Sequence, residues 1–133
     1  MLNREDIVLL FLDDPEKLVG EIQNGNLFKS DEIRTLICEL VDPSIAFRYA
    51  LHVDMCPHDL TRKIACGSPA WAQCYAESVD KVPRGDTRNA SCKDPKWAYL
   101  YAILAEGCWH YETWNAVQKD PYWKDQYERW VKK

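Results

Sequence analysis

Cysteine and histidine carry the widest chemical repertoire in this sequence: Cys38, Cys56, Cys66, Cys74, Cys92 and Cys108, with His52, His58 and His110. Thiolate and imidazole can ligate zinc or act together as nucleophile and base. A structural zinc site usually opens with ligands roughly two to four residues apart, and no two cysteines stand that close. A Cys–His pair could be drawn from His52, Cys56, His58 and Cys66, or from Cys108 and His110. Such a pair works only when a third group orients the base, which sequence neighbours do not supply. No catalytic, metal or cofactor residue is therefore assigned. A Cys/His-dependent enzyme of unknown reaction stands as a rival reading. The glycines form neither a Walker loop nor a dinucleotide fingerprint, although Gly67 and Gly107 suit helix ends, where a positive φ costs least.

Charge narrows the partners. Lysine and arginine number 17 against 21 acids, a net −4, whereas a phosphate-backbone binder normally presents a basic face. Arg48, Arg62, Lys63, Lys81, Arg84, Arg88 and Lys93 lend the middle of the chain basic character. Asp54, Asp59, Glu77, Asp80 and Asp86 dilute it. Nucleic-acid binding, or mimicry by an acidic front, is a second rival reading. The apolar run Ile7–Leu12 is too short to span a bilayer and has acidic flanks without a small-residue cleavage site. A cytoplasmic protein is expected, of a bacterium or of an infected host cell, with reduced cysteines and no membrane.

The elements that must position these side chains emerge when the chain is cut before each Asp-Pro or Ser-Pro pair. Segments then start at Asp42, Ser68, Asp94 and Asp120, each 26 residues after the last. Ile45, Trp71, Trp97 and Trp123 share one column, and Tyr49, Tyr75, Tyr101 and Tyr127 share another. Ala46, Ala72 and Ala98 fill a third; Val53, Val79, Ala105 and Val131 fill a fourth. Cys66 pairs with Cys92, and Cys56 with Cys108, at equivalent places, where recurring small core residues are expected.

Each repeat reads as two short helices. Asp or Ser is the N-cap and Pro the first helical residue. Ala46, Tyr49, Ala50 and Val53 then follow the i, i+3, i+4, i+7 spacing of one buried face. The second helix is expected to begin near Pro57, Pro83 or Trp109 and to end near Gly67, Lys93 or Lys119. Helices this short need neighbouring repeats for stability. Residues 1–41 form a divergent helical segment with a cap at Asn3, another at Ser30, and four basic against nine acidic side chains. Residues 42–67, 68–93 and 94–119 are full repeats. Residues 120–133 are a half-repeat cap, with Lys124 and Glu128 where earlier copies have alanine. The expectation is an all-α single domain over 1–133, a short solenoid or compact helical-repeat domain of tandem hairpins.

The columns Asp-Pro-x-Trp-Ala-Tyr-x-Tyr-Ala-x-x-Val, seen best in the segment starting at Asp94, resemble a short tandem helical repeat of bacterial and phage proteins, mostly uncharacterised. The likeness covers 42–133. It implies an all-helical repeat fold and, more loosely, a small phage or bacterial host-interaction protein. It brings no activity or cofactor.

Ten of the sixteen aromatic residues fall between Asp94 and the end. Trp97, Tyr101, Trp123 and Tyr127 belong to the repeat core with Ala46, Tyr49, Val53, Trp71, Tyr75 and Val79. Trp109, Tyr111, Trp114, Tyr122 and Trp130 lie outside those columns and are the candidate protein-binding residues, since aromatic side chains concentrate interface energy. The expected function is non-catalytic protein–protein interaction, with a partner of unknown identity or a second copy in a homodimer.

Overall fold

A computed structural model describes residues 1–133. Ten α-helices and no strand make up the chain, which falls into two compact units, Met1–Ala65 and Cys66–Lys133. The first unit holds α1 (Arg4–Asp13), α2 (Pro15–Gln23), α3 (Asp31–Glu39), α4 (Pro43–Tyr49) and α5 (Asp59–Ala65). The second holds α6 (Pro69–Tyr75), α7 (Gly85–Ser91), α8 (Pro95–Tyr101), α9 (Tyr111–Val117) and α10 (Pro121–Val131). No helix is long and apolar enough to cross a membrane.

Helix starts follow the repeat. Asp42 Oδ1 accepts from the Ile45 amide at 3.1 Å, and Asp120 Oδ1 accepts from the Tyr122 amide at 2.9 Å. Ser68 and Asp94 cap α6 and α8 in the same way, each with Pro at the first helical position. In the front segment Asn3 and Asp6 form a reciprocal capping box, and the Ser30 side chain caps α3. Each such bond satisfies a backbone donor that the helix leaves unpaired. The second helices begin two residues later than the sequence suggests. His58, Arg84 and His110 hold the turn before them.

The first helix of every full repeat widens into a π turn: Ala50–Asp54, Ala76–Asp80 and Ala102–Glu106. The Lys81 amide bonds back to the Ala76 carbonyl at 2.8 Å, and the Gly107 amide to the Ala102 carbonyl at 2.7 Å. One extra residue in the last turn lets two adjacent side chains face inward, and Val53 and Asp54 are both buried. The chain leaves each turn through a left-handed residue at one column: Met55 (φ 56), Lys81 (φ 59) and Gly107 (φ 71). Gly67 does not adopt positive φ, but Val41, at the corresponding place before Asp42, does (φ 55).

The left-handed region costs an L-residue about 1–2 kcal/mol, partly offset by the greater freedom of glycine in the unfolded chain. Lys81→Gly is therefore expected to raise stability by ~0.5–1 kcal/mol, and Gly107→Lys to lower it by a similar amount. Urea unfolding followed by tryptophan fluorescence reads both substitutions, because every tryptophan lies in the unit that contains them.

In the first unit the core gathers Ile7, Leu18, Ile22, Leu27, Ile37, Ile45 and Tyr49 from α1 to α4 and the loops between them. Leu18 and Ile22 occupy the alanine places of later repeats and are fully buried. In the second unit α8 packs on α6 and α7, and α10 on α8 and α9. Ala98, Ala102, Ala116, Val117 and Tyr127 form a buried cluster there. Tyr49, Tyr75, Tyr101 and Tyr127 all have 0% exposure. The tryptophan column differs: Trp71, Trp97 and Trp123 are only half-buried.

Candidate protein-binding surface

Two sets of polar side chains lie beneath the surface and define where the last repeat departs from the others. The first set is the tyrosine lock. The Tyr101 hydroxyl accepts from the Arg84 amide at 2.9 Å, donates to the Arg84 carbonyl at 3.0 Å, and lies 2.8 Å from Thr87 Oγ1. The Tyr127 hydroxyl repeats the arrangement with the His110 amide, the His110 carbonyl and Thr113 Oγ1. In the first unit the Tyr49 hydroxyl donates to the Phe28 carbonyl at 2.7 Å. Burial raises the Tyr101 and Tyr127 hydroxyl pKa values; these hydrogen bonds oppose the shift. Thr61, Thr87 and Thr113 form a fully buried column that the hydrophobic pattern could not flag, although their 26-residue spacing was there to be read.

The second set is ionic. Arg34 Nε and Nη2 grip Asp54 Oδ2 and Oδ1 at 2.8 and 2.7 Å, with the Asp54 side chain fully buried. In the second unit Arg88 bonds Glu106, whose side chain is 2% exposed. Hydrogen bonding to Asp54 holds the Arg34 guanidinium above its ordinary pKa. Burial would lower Arg88, but its bond to Glu106 and the charge of that carboxylate leave it raised. Arg62 and Asp80 hold the same two columns in the sequence, and Arg62 is only 5% exposed. Two of the seven cations weighed for nucleic-acid contact, Arg62 and Arg88, thus turn into the protein.

The last repeat breaks this scheme. Trp114 stands in the arginine column and Lys132 in the acid column. A pocket of about 100 Å³ opens there between Trp109, Trp114, Tyr127, Glu128, Val131 and Lys132. A shallower groove of about 270 Å³ adjoins it, sharing Trp109 and Val131 and adding Gly107, Cys108 and Trp130. Trp114 lies 6.4 Å from the Trp109 ring and 6.1 Å from that of Tyr111. Trp130 stands edge-on to buried Tyr127 at 5.5 Å. Trp109 and Tyr111 are 50% and 59% exposed.

Four of the five candidate residues, Trp109, Tyr111, Trp114 and Trp130, thus line one surface of α9, α10 and the loop before α9. Tyr122 does not join them. It packs against Trp123 at 4.8 Å, at the opposite end of α10 from Trp130, ~12 Å away along the helix axis.

Two of the three histidines, His58 and His110, are engaged in local structure. Nδ1 of His110 accepts from the Glu112 amide at 3.2 Å, and Nδ1 of His58 accepts from the Leu60 amide at 3.3 Å. Each ring thereby caps the helix that follows. No three His, Cys, Asp or Glu side chains are grouped to hold a metal ion. Cys56 and Cys108 are exposed, and Cys38 and Cys92 are half-buried.

Burial pushes the Cys92 thiol up to about 11, helped by Glu112 and Glu106 and opposed by Arg88; burial likewise raises Cys38 to about 11, against the pull of Arg34. In the unfolded chain these thiols ionise near 9. Between pH 9 and 11 the unfolded chain has therefore shed protons that the folded chain keeps, so stability falls with rising pH. The urea midpoint is expected to be unaffected by these two thiols below pH 9 and to decline from 9 to 11. The Cys38→Ala/Cys92→Ala variant should flatten that decline, measured by circular dichroism at stepped pH. Compared with known proteins, the chain matches no family model, no curated protein and no solved structure.

Proposed function

We propose that this chain is a non-catalytic protein-binding module whose contact surface is built from Trp109, Tyr111, Trp114 and Trp130. The observation that carries the reading is the half-exposed Trp109 and Tyr111 beside a pocket where Trp114 and Lys132 stand in place of the arginine and carboxylate of the earlier columns. Arg34 with Asp54, and Arg88 with Glu106, satisfy each other at that position within their own units. The last repeat offers aromatic area and a lysine instead, and aromatic side chains concentrate binding energy at protein interfaces. Resemblance to the tandem repeats of bacterial and phage proteins supports a small host-interaction protein acting in the cytoplasm.

The test is affinity capture from bacterial lysate with wild type, Trp109→Ala and Trp130→Ala, each checked by circular dichroism. Trp109 is the cleaner probe, because Trp130 also packs on Tyr127. Loss of a captured protein in folded Trp109→Ala is the expected result. Equal capture by all three chains would sink this contact surface.

A further inference from the structure

We propose that copies of this chain dock on one another through unlike faces: the acidic, leucine-bearing side of α1 in one copy seats on the aromatic, lysine-bearing surface of α9 and α10 in the next. The proposal rests on the reading of that surface as a protein-binding one and names its occupant.

The receiving face asks for an acid beside an apolar side chain. In both Arg34–Asp54 and Arg88–Glu106 a carboxylate answers a cation inside the fold. At the last place Lys132 replaces the carboxylate, is exposed, and has no ion-pair partner. Residues 121–133 carry four cations and two acids. Lys132 and Glu128 line the hollow of about 100 Å³, and the hollow of about 270 Å³ shares Trp109 and Val131 with it. Val131 is 47% exposed.

Helix α1 supplies that chemistry. Its run Ile7–Leu12 is apolar throughout, yet only Ile7 is fully buried. Leu9 and Leu12 are 57% and 70% exposed, and their spacing of three places both on one side of the helix, about one turn apart. Glu5 and Asp13, four residues to either side of Leu9, flank them on the same side. Two exposed leucines one turn apart offer apolar area to the two adjoining hollows, and the flanking carboxylates offer charge opposite to that of Lys132. The segment 1–41, at net −5, is attracted to the cationic end of a second copy. Because the two faces differ, the contact is heterologous: each copy offers one of each.

Sedimentation velocity of the full chain tests this. The wild-type mass is expected to rise with protein concentration and to fall back toward 15.5 kDa as salt is raised from about 0.05 to about 0.5 M. Leu9→Glu/Leu12→Glu and Trp109→Ala/Lys132→Glu alter exposed positions. Each should weaken self-association by about tenfold or more while the circular dichroism spectrum is kept. Mixed together, the two variants still hold one sound copy of each face and should form a 1:1 complex that neither forms alone.

Three results would overturn the proposal: a wild type that stays monomeric at every concentration, a mixture that does not associate, or a self-association that the α1 variant leaves unchanged. The broader binding reading is judged separately. A monomeric wild type that still captures a protein through Trp109 ends self-docking alone.

Discussion

Asp54→Ala is expected to destabilise the Met1–Ala65 unit by about 3–5 kcal/mol. The Asp54 carboxylate has no exposed surface, and it receives both the Nε and Nη2 protons of Arg34. Removing it strands a guanidinium that is itself 91% buried as a side chain, with only Asp31 left beside it. Asp31 is 97% exposed and shares its charge with water, so it compensates little. The loss should come mainly from the uncompensated cation and not from the pair's intrinsic worth. Arg34→Met combined with Asp54→Leu should therefore regain most of the stability. Urea unfolding followed by far-ultraviolet circular dichroism, with hydrogen exchange of the first unit's amides, measures this. Tryptophan fluorescence would miss it, since all six tryptophans lie beyond Ala65. A single-variant loss below about 1 kcal/mol would show that water reaches the pair.

The second large effect is expected at Tyr101. Tyr101→Ala should cost about 3–5 kcal/mol, the range for emptying an aromatic site in a packed core. Tyr101→Phe keeps the ring and isolates the hydroxyl, which anchors the backbone of Arg84 and faces Thr87. Its cost is expected at about 1–3 kcal/mol, because the Arg84 amide and Thr87 hydroxyl lose a partner away from bulk water. Thr87→Val alone should cost less, since the Arg84 amide keeps its bond to Tyr101. Tryptophan fluorescence reads all three variants. If Phe were neutral and Ala costly, the column would be a packing device only, and the 26-residue recurrence of threonine would need another reason.

Much of the architecture is local and was legible. Asp-Pro and Ser-Pro mark helix starts because a cap acts on amides two or three residues ahead. The Ala–Tyr–Ala–Val spacing marks the inner face because helical periodicity is a property of a single segment. The ionic columns were harder to read. Arg88 and Asp54 look like solvated charge when viewed one at a time, and their burial follows from partners that sequence proximity does not suggest. Arg34 meets Asp54 across 20 residues, and Arg88 meets Glu106 across 18. The candidate surface was half legible: excess aromatics near the end of the chain stood out, but nothing local separates Tyr122 from Trp109.

By itself, then, the sequence determined the 26-residue period, the all-helical class, the capped starts of the first helices and the alanine–tyrosine face that they bury. These depend on bonds and spacings within about one helical turn or two. Only the tertiary structure decided that the first helices end in π turns and that tyrosine hydroxyls close over the preceding loop. It also decided that arginines point inward while Trp109 and Tyr111 point out. Those outcomes turn on which side chains meet across 17 to 20 residues of chain, where desolvation and partner geometry choose. The thiols and imidazoles that first promised chemistry are placed by the same forces: His58 and His110 as helix caps, and Cys38 and Cys92 as half-buried thiols with raised pKa values.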